Sequence, residues 1–573
     1  MKKLLFLLLA ILSFNSCYKS DFEESLLKNE LKKSRINIED DIMITGKKRE
    51  DPNFTRNIEI ARKELEKTDT RFSKIKIVSN YKYVKITPLN EQGVKDITAL
   101  KDFDVYYFPL DIEIVKYGNK FIDPTKDSDF VSFWVVVPID FIFSVNIKEK
   151  VLEDVFLPFG TGNDFFKYEG EKELIYKQIE AKSRDLLYPK QKNARVNVTA
   201  TGSLLVEEDT ITQIKFGVSG TKYYVPIKGV KITARNFLTS RSTTTGNNGS
   251  FTIPYNFSGN IDEFTITWES TDFYLVDGNG NAAKTSRSSG ISNNWVPNIT
   301  KAVSPVEFRY SHVYRGAYNY YNLPTGDILS PPKVSSASLL CNQRAQMEIK
   351  VKDGTQSHYY GINGVLCKAN IVIENSIPTA SSPNSTFKGY FMFASISHEL
   401  THAKHWAMSG GMTDVKYCTG SGGAGSLAES YAMMCEFYLV NKEYSGLLGI
   451  PYLWNYDYFD RRLLQEKMNS YWANSTSSCT YNISRYYTPY FIDLIDSRNQ
   501  FITNGSNRPN DLVSNYTAKF LEDCIKITPD NWAAINQKIK TPAASSPILL
   551  TPLSVQGNSA SNIDYLYNMY KSL

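Results

Sequence analysis

The sequence predicts a multidomain α+β protein, and three observations carry that expectation. A chain of 573 residues, 42% of them hydrophobic and 13% aromatic, exceeds what a single core normally organises, so two or three domains are expected. Residues 191–285 read as strands alone, whereas residues 341–573 read as mostly helical and carry the chemistry. Between the N-terminus and these regions, residues 75–190 mix short β-rich runs with one helical stretch, as a small α/β domain would.

The first sixteen residues, MKKLLFLLLAILSFNS, set two lysines before an apolar run. That is the layout of a removable export signal, and the run is too short to span a bilayer. Cys17 follows at once. Residues 17–74 are rich in Lys, Glu, Asp and Asn with few aromatics, and read as a solvated tether with one charged helix near 57–67. No later segment reaches eighteen uninterrupted apolar residues. With 65 basic against 60 acidic residues, the chain has no strong field of either sign, which argues against a nucleic-acid partner.

In the 75–190 domain, strands are expected at 81–86, 105–108 and 130–137 and a helix at 171–187. Further on, 194–200, 213–218, 230–235, 249–253 and 263–268 alternate or carry β-branched residues between Gly, Asn and Ser turns, and a small β-sandwich is the natural solution. Residues 286–340, rich in Asn, Ser, Tyr and Pro, read as an irregular connector. Six cysteines follow, Cys341, Cys367, Cys418, Cys435, Cys479 and Cys524. Export is compatible with disulfides among them, fifteen connectivities are open, and no CxxC spacing points to a cysteine zinc site.

The row 388–411, KGYFMFASISHELTHAKHWAMSGG, reads as one helix, with Pro383 upstream and Gly410-Gly411 as the stop. His398 and His402 stand at i and i+4, which puts both imidazoles on one face within reach of a common ion, and Glu399 projects beside them. This is the HExxH arrangement of zinc peptidases. A third ligand is needed. The metzincin pattern fails, since His405 and Met408 occupy its glycine and third-histidine positions. A second helix is expected over 426–441, SLAESYAMMCEFYLVN, with an apolar stripe of Leu427, Tyr431, Met434 and Tyr438. Glu429 lies there among small and apolar residues, where a carboxylate has little reason to be buried unless a cation meets it. Glu429 is therefore the expected third ligand, with Glu436 the alternative as ligand or outer partner. His405 stands about 10 Å along the helix from His398 and cannot share its ion. His312 and His358 fall outside any motif. Tyr486, Tyr487 and Tyr490 cluster before a helical run at 491–498; Tyr487 is the candidate oxyanion donor, core packing being the competing role. Residues 370–373 are a candidate edge strand for an extended peptide.

A HExxH helix followed by a glutamate on a second helix is similar to the gluzincin, thermolysin-like metallopeptidases. More narrowly, residues 393–406 with Ala428-Glu429-Ser430 resemble predicted zinc metallopeptidase lipoproteins of Bacteroidota. The acidic residue that thermolysin-like enzymes often carry four positions after the glutamate ligand is Met433 here. Residues 230–234 with the downstream TTTGNNGSF resemble carboxypeptidase-regulatory, transthyretin-like modules, which implies a spacer or binding module. Residues 12–17 resemble a lipobox, which implies a lipid on Cys17, and Lys19 to Glu24 resemble export tags of outer-membrane lipoproteins. The resemblance implies a Zn2+ enzyme acting on a peptide, protein or glycoprotein substrate, with Glu399 activating water. It is expected at the outer membrane, including its outer face. A non-catalytic adhesion or capture lipoprotein is the competing class.

Overall fold

The computed structural model describes residues 43–572, apart from short breaks and the longer stretches 190–197, 333–345, 361–369, 379–386, 410–423, 451–488, 497–511 and 541–558. The protein is multidomain α+β, with two compact units, Met1–Lys192 and Asn193–Leu573.

In the first unit, β2 (Tyr81–Pro88) runs between β4 (Phe133–Pro138) and β5 (Ile147–Val155), antiparallel to both. β2 is buried along its whole length, so even Lys82 and Lys85 are drawn in over the rings of Phe143 and Trp134. Helix α2 (Glu91–Thr98) adds Ile97 to the sheet core of Val84, Ile86, Val135 and Val137. A second pair joins β1 (Ile44–Lys48) to β3 (Ile112–Lys116), and a short one joins β6 (Gly160–Thr161) to β7 (Asp164–Phe165). All these pairings are antiparallel, so no βαβ crossover is present among the described residues of this unit. Helix α1 (Thr55–Glu66) packs on α3 (Glu171–Leu187).

Residues 43–74, expected in the solvated tether, are instead folded into this unit. Phe54, Ile58 and Ala61 are fully buried, while Arg62 binds Glu59 and Glu66 across the outer face of α1. The polar composition concealed a narrow apolar stripe. Residues 1–42, Cys17 among them, lie outside the described residues. None of the described helices is long and apolar enough to cross a membrane.

The second unit opens with β8 (Val198–Ser203) and β9 (Leu205–Glu207). One antiparallel sheet has the order β12-β11-β14-β16, from β11 (Lys231–Asn236), β12 (Thr239–Thr244), β14 (Glu263–Thr267) and β16 (Lys284–Ser288). β8 pairs with β13 (Ser250–Phe257) and with β17 (Asn294–Trp295); β9 pairs with β10 (Tyr224–Pro226) and with β18 (Asn298–Ile299). The Phe251 and Phe264 rings meet edge to face at 5.9 Å, joining β13 to β14. One expected strand is a helix: residues 213–218 begin inside α4 (Asp209–Phe216), which has Asp209 in its first turn and ends at Gly217 with φ +59°. Acidic start and glycine stop outweighed the β-branched content.

The expected connector at 286–340 carries the buried helix α5 (Pro305–Tyr321), opened by proline at its first position. Its tyrosines reach back into the strands: Tyr314 meets Phe273 and Trp268 at 5.0 and 6.0 Å, and Tyr321 stacks on Phe273 at 5.5 Å. A single apolar cluster extends from Val198 to Tyr567, so neither residue 285 nor residue 340 divides the core.

The last sheet has the order β15-β19-β21-β20, built from β15 (Phe273–Val276), β19 (Met347–Lys352), β20 (His358–Tyr360) and β21 (Asn370–Glu374). β15, β19 and β21 are mutually parallel and β20 is antiparallel to β21. Residues 370–373, expected at an edge, thus have partners on both sides, and the edge belongs to β20. Helix α6 (Gly389–Met408) packs on β20, β21 and α5, with α7 (Ala424–Leu448) on its other side. Gly316 of α5 makes that contact close, since a Cβ there would stand 2.4 Å from Ile396 Cγ2. The C-terminal helices α8 (Tyr490–Ile495), α9 (Ala518–Ile527), α10 (Trp532–Lys540) and α11 (Ala560–Ser572) complete the unit.

Candidate metal centre

Helix α6 is buried on nearly every side, as suits a helix at the centre of a core, even though it carries Ser, Thr, His, Glu and Lys side chains. Its hydroxyls are satisfied internally, with Ser395, Ser397 and Thr401 each donating to the carbonyl four residues earlier at 2.8–2.9 Å. α7 runs antiparallel beside it: Phe393 meets Tyr444, His398 meets Glu436, and His405 meets Tyr431. α7 is longer than the expected 426–441, because residues 442–448 continue its buried face until Gly449 at φ +71° ends it.

This pairing brings together His398, His402 and Glu429. Glu429 Oε2 lies 3.2 Å from His398 Nε2 and 3.4 Å from His402 Nε2, and the two nitrogens are 3.1 Å apart. A tetrahedral ion with arms of about 2.05 Å has ligand edges of about 3.3 Å, so this triangle fits zinc and its two-nitrogen, one-oxygen donor set. On the far side of the imidazole, His398 Nδ1 donates to Glu436 Oε2 at 3.0 Å, which leaves the Nε2 lone pair for the ion. Of the two roles open to Glu436, the contact made here is that of outer partner. Glu436→Gln is therefore expected to weaken zinc binding by roughly 10–100-fold without abolishing it, measured by competition with a chromophoric chelator.

The electrostatics are those of a trapped proton. Burial works against a charged His398, yet hydrogen bonds to Glu429 and Glu436, with the charges of Glu429 and Glu399, push it up to about 10. Burial also opposes ionisation of Glu429, but the charges and hydrogen bonds of His402 and His398 hold its carboxyl well below the usual range. Glu399 shifts the other way: burial raises its carboxyl, against the charges of His398, His402 and His358.

His358, outside any sequence motif, thus lies near enough for its charge to bear on Glu399, and it sits on the edge strand β20. His405 is buried against the Tyr431 ring rather than at the surface. Tyr486 and Tyr487 lie outside the described residues, as do Cys341, Cys367, Cys418 and Cys479. Tyr490 is buried and donates to Asn536 Oδ1 at 2.6 Å, which commits it to packing. Cys435 and Cys524 are buried free thiols.

One feature of the centre had no signal at Glu429 or the histidines. Lys404, two residues past His402, is buried and donates to Glu522 Oε1 at 2.5 Å and to Leu329 O at 3.1 Å, with the rings of Tyr320 and Tyr431 alongside. Tyr431 OH also donates to Glu522, at 2.6 Å. A lysine within the apolar run AKHWA was the available hint, but its partner stands 118 residues away. Glu522→Ala strands a buried cation and is expected to cost about 3–5 kcal/mol in chemical denaturation, whereas Lys404→Met with Glu522→Leu should cost much less.

The sequence matches no protein-family model and no curated protein. The reading of this site therefore rests on its donors and their geometry.

Proposed function

We propose that this chain is a zinc-dependent, gluzincin-like peptidase exported as a lipoprotein, with residues 341–573 its zincin-like part and the preceding strands a transthyretin-like module. The observation that carries the reading is the donor triangle of His398, His402 and Glu429, with Glu399 buried next to it on the same helix.

His398, His402 and Glu429 would hold a zinc ion, which when bound would supply a water of lowered pKa and Lewis-acid polarisation of a carbonyl. Glu399 takes the proton from the attacking water and passes it to the departing amine, so that one carboxyl serves as base and then as acid. A carboxyl raised by burial is suited to both halves of that cycle. Glu436 keeps the His398 ring oriented, and the extended substrate adds to the sheet at β20, whose outer side has no partner strand among the described residues. Tyr487 is the proposed oxyanion donor. Cys17 is the proposed site of the lipid that fixes the protein to the outer membrane.

The test is digestion of a proteome-derived peptide library with the zinc-loaded mature chain, read by mass spectrometry, with Glu399→Ala as control. Cuts made only by the wild type are expected; their absence would move the reading to a binding protein. The lipid is tested separately by the mass of the mature N-terminus, where an unmodified Cys17 refutes it.

A further inference from the structure

Helix α6 has no side-chain cap of its own, since Lys388 at its N-cap makes no capping bond. The acceptor comes from 180 residues earlier: Gly389 N donates to Asp209 Oδ1 at 2.9 Å, and Asp209 Oδ2 takes Lys301 Nζ at 3.0 Å. The preceding residue, Glu208, is fully buried and serves the other helices. Its Oε2 accepts Arg315 Nη1 of α5 at 2.8 Å and Tyr444 OH of α7 at 3.0 Å. Arg315 reaches on to Glu443 of α7 at 2.7 Å. His312 fills the space between, bonding Glu207 O at 3.1 Å and lying so close to Gly389 that a Cβ there would stand 2.4 Å from its Cε1.

We infer that the Glu208-Asp209 dipeptide is a positioning element of the metal centre, holding the start of α6 and the end of α7 in fixed relation. The inference rests on the metal-site reading above. α6 and α7 are antiparallel, and Glu522 already joins them at the other end through Lys404 and Tyr431. His398 and His402 lie between the two clamped positions of α6, and Glu429 stands two residues beyond Tyr431 on α7. Gly389 is nine residues, about 13 Å, from His398, so release at that end lets the helices splay about the Glu522 contact. Metal–ligand distances hold to about 0.2 Å, so a small splay between α6 and α7 separates Glu429 from the histidines. The strand-rich segment 198–300 is on this account part of the catalytic apparatus and not a detachable spacer.

The test uses the full chain and cobalt(II) as a spectroscopic stand-in for zinc. Asp209→Ala is expected to speed amide exchange in residues 389–393 roughly tenfold, as loss of a helix cap does. It should also weaken cobalt binding about tenfold and alter its visible d–d spectrum, on the scale of losing an outer-shell partner. Asp209→Asn keeps an acceptor and should restore all three; Glu208→Ala, which removes the oxygen that accepts Arg315 and Tyr444, should reproduce the cobalt changes through α7. Should Asp209→Ala not fold, Lys301→Met, which frees one Asp209 oxygen, gives the same readouts at smaller amplitude. Unchanged exchange overturns the clamp, and faster exchange with unaltered cobalt affinity and spectrum overturns its positioning role. If wild type takes up no cobalt, the metal reading fails; exchange across residues 398–402 and 428–432 then decides, and no change there in Asp209→Ala overturns the inference.

Discussion

Glu399→Gln is expected to lower kcat on the order of 10^4-fold while leaving zinc stoichiometry at the wild-type level. The side chain is isosteric and 6% exposed, so the substitution neither opens a cavity nor adds bulk. Among the described carboxylates beside the donor triangle, it removes the one that neither belongs to that triangle nor bonds one of its histidines. The amide can accept a hydrogen bond from water but cannot hold the proton that must travel to the leaving amine. No other described carboxylate can take over: Glu429 faces both imidazoles and Glu436 is bonded to His398 Nδ1. Steady-state kinetics on a peptide identified in the library digest, with metal content measured on the same sample, reads both parts. Retention of more than a tenth of the activity would remove Glu399 from its role, and loss of zinc would make it a ligand.

What could be read from the sequence was local. Two histidines four apart on a helix, a glutamate among apolar residues on the next helix, and the apolar stripe of α7 all follow from helical periodicity, which 388–411 and 426–441 carry plainly. The elements misjudged were those in which short signals compete. Residues 213–218 were split between β-branched content and a glycine stop, and the tether hid Phe54 and Ile58 behind charges. The edge strand was misassigned because strand order depends on pairings such as Ile349 with Ile371, which no local pattern encodes. Contacts across long separations were illegible for the same reason. Glu522 and Lys404, or Asp209 and Gly389, become partners only once the whole second unit has closed around one core. The module boundary failed in this way too: β15 is drawn from the strand-rich segment yet completes the sheet on which α6 lies.

Glu429→Ala is expected to weaken zinc binding at least 100-fold, more than the loss of an outer partner such as Glu436. Proton release distinguishes the two. Without metal, His398 is held up to about 10, so at pH 7 to 8 its ring is protonated and its Nε2–H faces Glu429. Zinc requires that lone pair, so binding must expel the proton. The sign follows directly. Because the proton competes with the ion everywhere below about pH 10, apparent zinc affinity should rise about tenfold per pH unit across the neutral range, apart from hydrolysis of the ion itself. Calorimetry in two buffers of different ionisation enthalpy should show about one proton released per zinc in the wild type at pH 7.5. In Glu429→Ala the carboxylate that helps hold the proton is gone, so release should fall well below one along with affinity. In Glu436→Gln the negative charge at the Nδ1 partner is lost but Glu429 still holds the Nε2 proton, so release should fall less. Equal release in all three proteins would mean that the proton expelled by zinc does not come from His398. The donor triangle would then have to bind the ion in a protonation state other than the one its hydrogen bonds dictate.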